Sequence, residues 1–284
     1  MSKRDRTTLK SFFRNGALPA AEHYRDLIDS SVNQVEDGFD KTDKEGLKLH
    51  SVGSSLRVMS LYQGLGEPKP SWVFEHGGKN EGALHIRPGA GKKEHSDPAN
   101  KRTGTAQDGI SIDSDGRVGV GQEKPDWLFD VNGVSRMRGR VGVASENIPH
   151  ILANGKWQAV TQPMTGCQAF EIVAGAGGQE GEGRYSMVYA IAMNAFNPGN
   201  WFMNWFFRRR SIRTQTAMYG SFADRIRLRW VRDDKQPKYF FLQMCTNADF
   251  GDGAIIQYHM TRLWFDSVMS ASRPGGTGRD PDLL

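Results

Sequence analysis

The chain has 284 residues, 38% of them hydrophobic, with 33 glycines, two cysteines and a formal net charge of +5. This length allows one to two domains or a string of smaller units. Glycine without a Gly-X-Y period excludes collagen, and two cysteines make neither a disulfide framework nor a zinc motif. The mild charge gives no argument for nucleic acid.

Large apolar side chains are sparse over residues 75–125 and dense over 185–265, so one evenly packed core is not expected. No apolar run approaches the ~20 residues of a membrane span. The charged start, Met1 to Asp5, lacks the apolar centre of a secretory signal. Synthesis in a reducing cytoplasm is expected, with Cys167 and Cys245, each among apolar neighbours, acting as small hydrophobes.

In chain order, residues 19–37 carry the one clear helix pattern. Ala21, Tyr24, Leu27, Ile28, Ser31, Val32 and Val35 recur at three- and four-residue spacing, with Pro19 in the first turn and Gly38 as a stop. A lone amphipathic helix of this length needs a partner to cover its face. Residues 45–75 read as short strands: Gly46 to Leu49, Leu56 to Met59, and Trp72 to Phe74. Residues 88–108 read as an exposed loop or poorly ordered segment.

The phrase Gly116-Arg117-Val118-Gly119-Val120 recurs as Gly139-Arg140-Val141-Gly142-Val143. Between the copies, Phe129-Asp130-Val131 leads into Asn132-Gly133, a tight-turn signal. Strands this short need stacked repeats or several chains to share a core. Farther on, Ile226 to Trp230, Phe240 to Met244 and Ile256 to Met260 alternate apolar and polar residues, and Tyr185 to Met193 is a further apolar run. One all-β sandwich or jelly-roll-like domain is expected there, followed by a loose tail from Ser272.

The expected fold is mainly β. An N-terminal attachment segment with a helix spans 1–44 and a glycine-punctuated shaft of short intertwined strands spans 45–163. A C-terminal β-sandwich recognition domain spans 164–268, and a flexible tail spans 269–284.

Two segments resemble phage tail-fibre proteins and the fibres of contractile injection systems. Leu9-Lys10-Ser11-Phe12-Phe13-Arg14-Asn15-Gly16-Ala17-Leu18-Pro19, leading into Leu27-Ile28-Asp29-Ser30, is similar to an N-terminal leader of such fibres. Gly116 to Gly121, then Pro125, then Leu128-Phe129-Asp130-Val131-Asn132-Gly133, resembles a phrase of their shafts. The resemblance implies a homotrimer, an N-terminus docked to a baseplate or tail protein through residues 1–40, and a C-terminal tip that binds a cell-surface glycan or protein. It implies assembly into a virion or an extracellular phage-tail-like particle. The chain has no Ser-Asp-x-x-Lys start of a self-cleaving chaperone and no His-x-His iron site. Particle docking is expected through Phe12, Phe13, Tyr24, Leu27 and Ile28.

Catalytic patterns are missing: there is no P-loop, no His-Glu-x-x-His and no Gly-x-Ser-x-Gly. Gly175-Ala176-Gly177-Gly178 follows a strand, but Glu180 stands where a dinucleotide loop needs its third glycine. His76, His85 and His95 read as exposed loop residues rather than metal ligands. Asp224, Asp233, Asp249 and Asp252 read as turn residues, since no spacing pairs two of them as glycosidase acid and base. The arginines at 208–210 and 213, and at 225, 227, 229 and 232, read as solvated strand faces, with an acidic partner surface as the alternative.

The aromatic stretch Trp201 to Phe207 is read chiefly as core or trimer interface. Trp201, Trp205, Arg208 and Arg210 are the candidate ligand contacts. The reading is therefore a non-enzymatic structural and receptor-binding component, with no cofactor, no metal, no nucleic acid and no membrane insertion. A linker without an external ligand, or a glycan-degrading tip, are the alternatives.

Overall fold

The computed structural model describes residues 3–33, 36–51, 54–64, 66–77, 82–89, 109–144, 148, 150–195 and 210–276. The fold is mainly β, with several sheets, none closed, and two helices among the described residues. The chain divides into two compact units, Met1–Arg136 and Met137–Leu284. No helix among the described residues is long and apolar enough to cross a membrane.

The first unit opens with α1 (Arg6–Phe12) and α2 (Ala21–Asp29). Asp5 caps α1 by accepting from the N–H groups of Thr7 and Thr8, a helix start that periodicity did not reveal. The single helix expected over 19–37 is shorter: it ends at Ser30, whose hydroxyl donates to the Asp26 carbonyl, while the Ser31 hydroxyl donates to Leu27. Such side-chain bonds compete with the helix ladder and end it. Val35 lies outside the described residues. A two-stranded hairpin follows, β1 (Phe39–Thr42) on β2 (Gly46–Leu49).

The rest of the first unit is a six-stranded sheet in chain order: β3 (Arg57–Leu61), β4 (Trp72–His76), β5 (Leu84–Pro88), β6 (Ile110–Ile112), β7 (Val118–Val120) and β8 (Phe129–Val131). All neighbours are antiparallel except β7 and β8, which run parallel. Parallel neighbours usually need a crossover of about a dozen residues or more. Here a loop of residues 121–128 makes the return by lying against the sheet. A Cβ on Gly119 would sit 2.4 Å from the Gln122 carbonyl oxygen, so glycine is what lets the loop close. Asp130 then braces it, accepting from Gln122 Nε2 at 2.7 Å and from the Asp126 N–H at 2.9 Å.

Two expectations for this region fail. Asn132-Gly133 makes no hairpin turn, because among the described residues no later strand pairs with β8; Asn132 instead bonds Val120 and Gly121. The second copy of the repeated phrase is not a second strand unit either. Residues 139–143 belong to the second compact unit, where Val143 bridges Met260 and a Cβ on Gly142 would meet the Met260 carbonyl at 2.5 Å.

The second unit contains a five-stranded and a three-stranded sheet. The first has the order β13-β12-β11-β16-β9, built from β9 (Ile151–Leu152), β11 (Cys167–Gly177), β12 (Tyr185–Ala195), β13 (Arg210–Met218) and β16 (Ile255–Arg262). The second is β10 (Gln158–Ala159), β15 (Phe240–Thr246) and β14 (Ile226–Arg232), in that order. Alternate residues of both sheets turn into one core. Phe170, Ile172, Val188 and Ile256 come from one sheet, and Ile226, Leu242 and Met244 from the other. Alanines 174, 176, 190 and 192 leave room in it for larger side chains such as Phe250.

Strands anticipated at 185–193, 226–230, 240–244 and 256–260 all fall within β12, β14, β15 and β16. The segment 175–183 is the end of β11 and a hairpin into β12, with no helix after it. Residues 90–108, read as a loop, lie outside the described residues.

Candidate binding surfaces

The β3–β8 sheet has an unusual distribution of side chains. Because successive residues alternate faces, the register puts Met59, Leu61, Trp72, Phe74, Leu84, Ile86, Ile110, Ile112, Val118, Val120, Phe129 and Val131 on one face. None of these is fully buried; Trp72 is 42% exposed and Phe129 66%. The opposite face carries Val73, Glu75, His85, Arg87, Ser111, Gly119 and Asp130, and there Val73, His85, Ser111 and Gly119 are buried.

The 121–128 loop and a polar network occupy that second face. His85 Nδ1 lies 2.8 Å from Ser111 Oγ, and Arg87 pairs with Glu123 and, at 3.4 Å, with Glu75. Burial lowers the His85 pKa, with nearby Arg87 adding to the effect. His85 is therefore a buried hydrogen-bonded residue rather than the exposed one expected from sequence. His76 stays exposed, and His95 lies outside the described residues.

The N-terminal helices form a small hairpin with no buried residue. Phe12 stacks on His23 with centroids 4.2 Å apart, and Phe13 meets Tyr24 edge-on at 5.4 Å. Arg4 pairs with Asp26 at 3.1 Å and closes the hairpin. Leu27 is 39% exposed and Ile28 70%. Of the five residues singled out for docking, Phe12, Phe13 and Tyr24 make the ring contacts between the helices, and Phe13, Tyr24, Leu27 and Ile28 all present exposed surface.

On the outer face of the five-stranded sheet, Val173, Gly175, Tyr185, Met187, Ile255 and His259 line an open trough of about 830 Å³. Its floor is low because Gly175 and Gly177 carry no side chains beside Met187 and Tyr185. Tyr185 packs edge-on against Tyr219 at 6.3 Å. The trough offers apolar walls and an aromatic ring, a composition suited to binding. Sequence periodicity marked β12 but not the paired glycines of β11 as its floor.

Arg210 begins β13 with its guanidinium 4.7 Å from the Phe240 ring centroid, and burial, with Arg232 nearby, lowers its pKa. It packs on the Phe240 ring and is partly buried. Trp201, Trp205 and Arg208 lie outside the described residues. Asp233 and Asp249 cap their own turns, accepting from Lys235 and Gly251. Asp224 differs: it is buried and paired to Arg184 at 2.7 Å. Cys245 is 2% exposed and Cys167 only partly buried; burial raises both thiol pKa values. Among the described residues no three His, Cys, Asp or Glu side chains converge as a metal site.

No protein-family model matches the chain, and no curated protein matches it.

Proposed function

We propose that this chain is a structural and receptor-binding component, fibre- or adhesin-like, of a phage tail or a phage-tail-like contractile injection particle. It docks to a baseplate or tail protein by its N-terminal hairpin, self-associates as a homotrimer through an intertwined shaft, and binds a cell-surface ligand through a C-terminal β-sandwich domain.

The apolar face of the β3–β8 sheet, partly exposed among the described residues, carries this reading. A monomer in water gains nothing from burying a polar network under a loop while Met59, Leu61, Trp72, Ile110 and Phe129 stay exposed on the other face. Copies of the chain that place these faces together complete the core that each lacks alone. The exposed Leu27 and Ile28 of the hairpin supply the docking surface, and the Tyr185 trough supplies a concave recognition surface.

Light scattering after size exclusion tests the assembly. The intact chain is expected to run as a trimer, and Phe129→Ser, on a residue 66% exposed in one copy, is expected to shift it to monomer. A compact monomer, or a trimer indifferent to Phe129→Ser and Trp72→Ser together, overturns the reading. Removing residues 1–40 is expected to spare the trimer and abolish incorporation into particles.

A further inference from the structure

The outward face of the three-stranded sheet carries a second, chemically distinct surface. On β14, Ile226 is buried and Leu228 and Trp230 pack against the core, so the intervening Arg227 and Arg229 point outward, with Arg225 beside them in the same alternation. Both guanidinium groups cover one indole: Arg229 lies 4.2 Å and Arg227 5.5 Å from the Trp157 ring centroid. Register explains the meeting. Arg229 pairs with Gln243 and Gln243 with Ala159, which brings residues 157–159 across the same face.

Two amides fix the arginines further. Gln243 Oε1 accepts from Arg229 Nε at 2.9 Å and from Nη2 at 2.7 Å, and Asn247 Oδ1 accepts from Arg227 Nη1 at 3.3 Å. No ion pair among the described residues involves Arg225, Arg227 or Arg229. Arg229 Nη1 and the Arg227 Nε and Nη2 groups are therefore left to donate outward.

We propose that this face binds an anionic glycan whose sugar rings carry carboxylate groups, held by Arg227 and Arg229 on the Trp157 plate. The guanidinium fork matches a carboxylate in a plane, and stacking plus the amide braces removes rotamer freedom before the ligand arrives. Two residues along a strand put the Arg227 and Arg229 Cα atoms about 7 Å apart on the same face, so both forks serve one ligand. The exposed groups are donors, and the Gln243 amide N–H₂ adds one for a sugar hydroxyl. A nucleic-acid single strand would need an open ring for base stacking, and the guanidinium groups already occupy the Trp157 ring. The choice of a glycan rests on the proposed function; the anion site itself does not.

Titration calorimetry on the full chain tests it with alginate oligosaccharide, neutral dextran and oligothymidylate. Alginate is expected to bind, less tightly as salt rises, and dextran is not. Arg227→Gln with Arg229→Gln is expected to lose at least tenfold in alginate affinity at an unchanged unfolding midpoint, and Arg229→Lys, which keeps charge but not the fork, to fall between. Absence of alginate binding overturns the proposal. So does undiminished binding by the double variant, or tighter binding of oligothymidylate than of alginate. Light scattering on the same samples separates the two readings. A monomer that binds alginate refutes the fibre assembly and leaves the site standing; a trimer that ignores alginate does the reverse.

Discussion

Replacing Gly119 with alanine probes the loop that makes the β7–β8 return possible. Gly119 lies within a strand and is not in the left-handed region, so alanine brings no backbone strain. Its ordinary effect would be a gain of about 0.4–1 kcal/mol from a less flexible unfolded chain. The structure reverses the sign. The added methyl meets the Gln122 carbonyl oxygen at 2.4 Å, and that neighbour is backbone. Overpacking of this kind costs about 1–3 kcal/mol. If the loop instead swings away, Asp130 loses the Gln122 and Asp126 hydrogen bonds, about 1.5–3 kcal/mol for a bond to a charged group. The cheaper route sets the outcome, and overpacking less the unfolded-state gain leaves a net loss of about 1–2 kcal/mol, measured by denaturant unfolding of the intact chain.

Gly133 provides the control. It belongs to the same glycine-punctuated segment, has no positive φ, and nothing lies within 4 Å of its would-be Cβ. Gly133→Ala should be neutral or slightly stabilising. A Gly119→Ala chain as stable as wild type, or equal effects at the two glycines, would show that the loop does not rest on the sheet.

Two further predictions concern the second unit. Thr161 is buried and its Oγ1 accepts from the Leu242 N–H at 2.9 Å, completing the ladder where β10 ends; Thr161→Val should cost about 1–3 kcal/mol although the shape is kept, and an unfolding midpoint equal to wild type would refute the role. Burial raises the Asp266 pKa, but the N–H groups of Ala271 and Ser270 and the Ser270 hydroxyl outweigh it and hold the carboxyl below its ordinary 3.8. A carboxyl depressed in the folded state stabilises above its unfolded pKa and loses that contribution as pH falls through the folded value. The difference in thermal midpoint between wild type and Asp266→Asn should therefore be full at neutral pH and shrink below pH 3.8, and a constant difference would contradict the sign.

Much of the second unit was legible because its strands obey a local rule. Ile226, Leu228 and Trp230 alternate with arginines along the chain, and period-two alternation is what a sheet with one buried face requires. The same alternation made the arginines look like an ordinary solvated face. Only the strand register revealed that Arg227 and Arg229 share Trp157, a residue some seventy positions away.

The first unit shows where local rules stop. Gly119 and Asp130 could be read as parts of a phrase, but the reasons for them, a carbonyl 2.4 Å from a missing methyl and a loop braced by one carboxylate, exist only once the loop folds back. Identical words also separated in space: Val118-Gly119-Val120 became a strand, while Val141-Gly142-Val143 packed against Met260, because pairing depends on which partner comes within reach. By itself the sequence determined the strand-rich character, the alternating faces and the uneven supply of apolar residues, since these depend on side-chain period and composition. Tertiary structure alone decided which face of each sheet is covered. Burial belongs to the pair of surfaces that meet, and among the described residues the polar face of the β3–β8 sheet is covered by the 121–128 loop while its apolar face stays partly exposed.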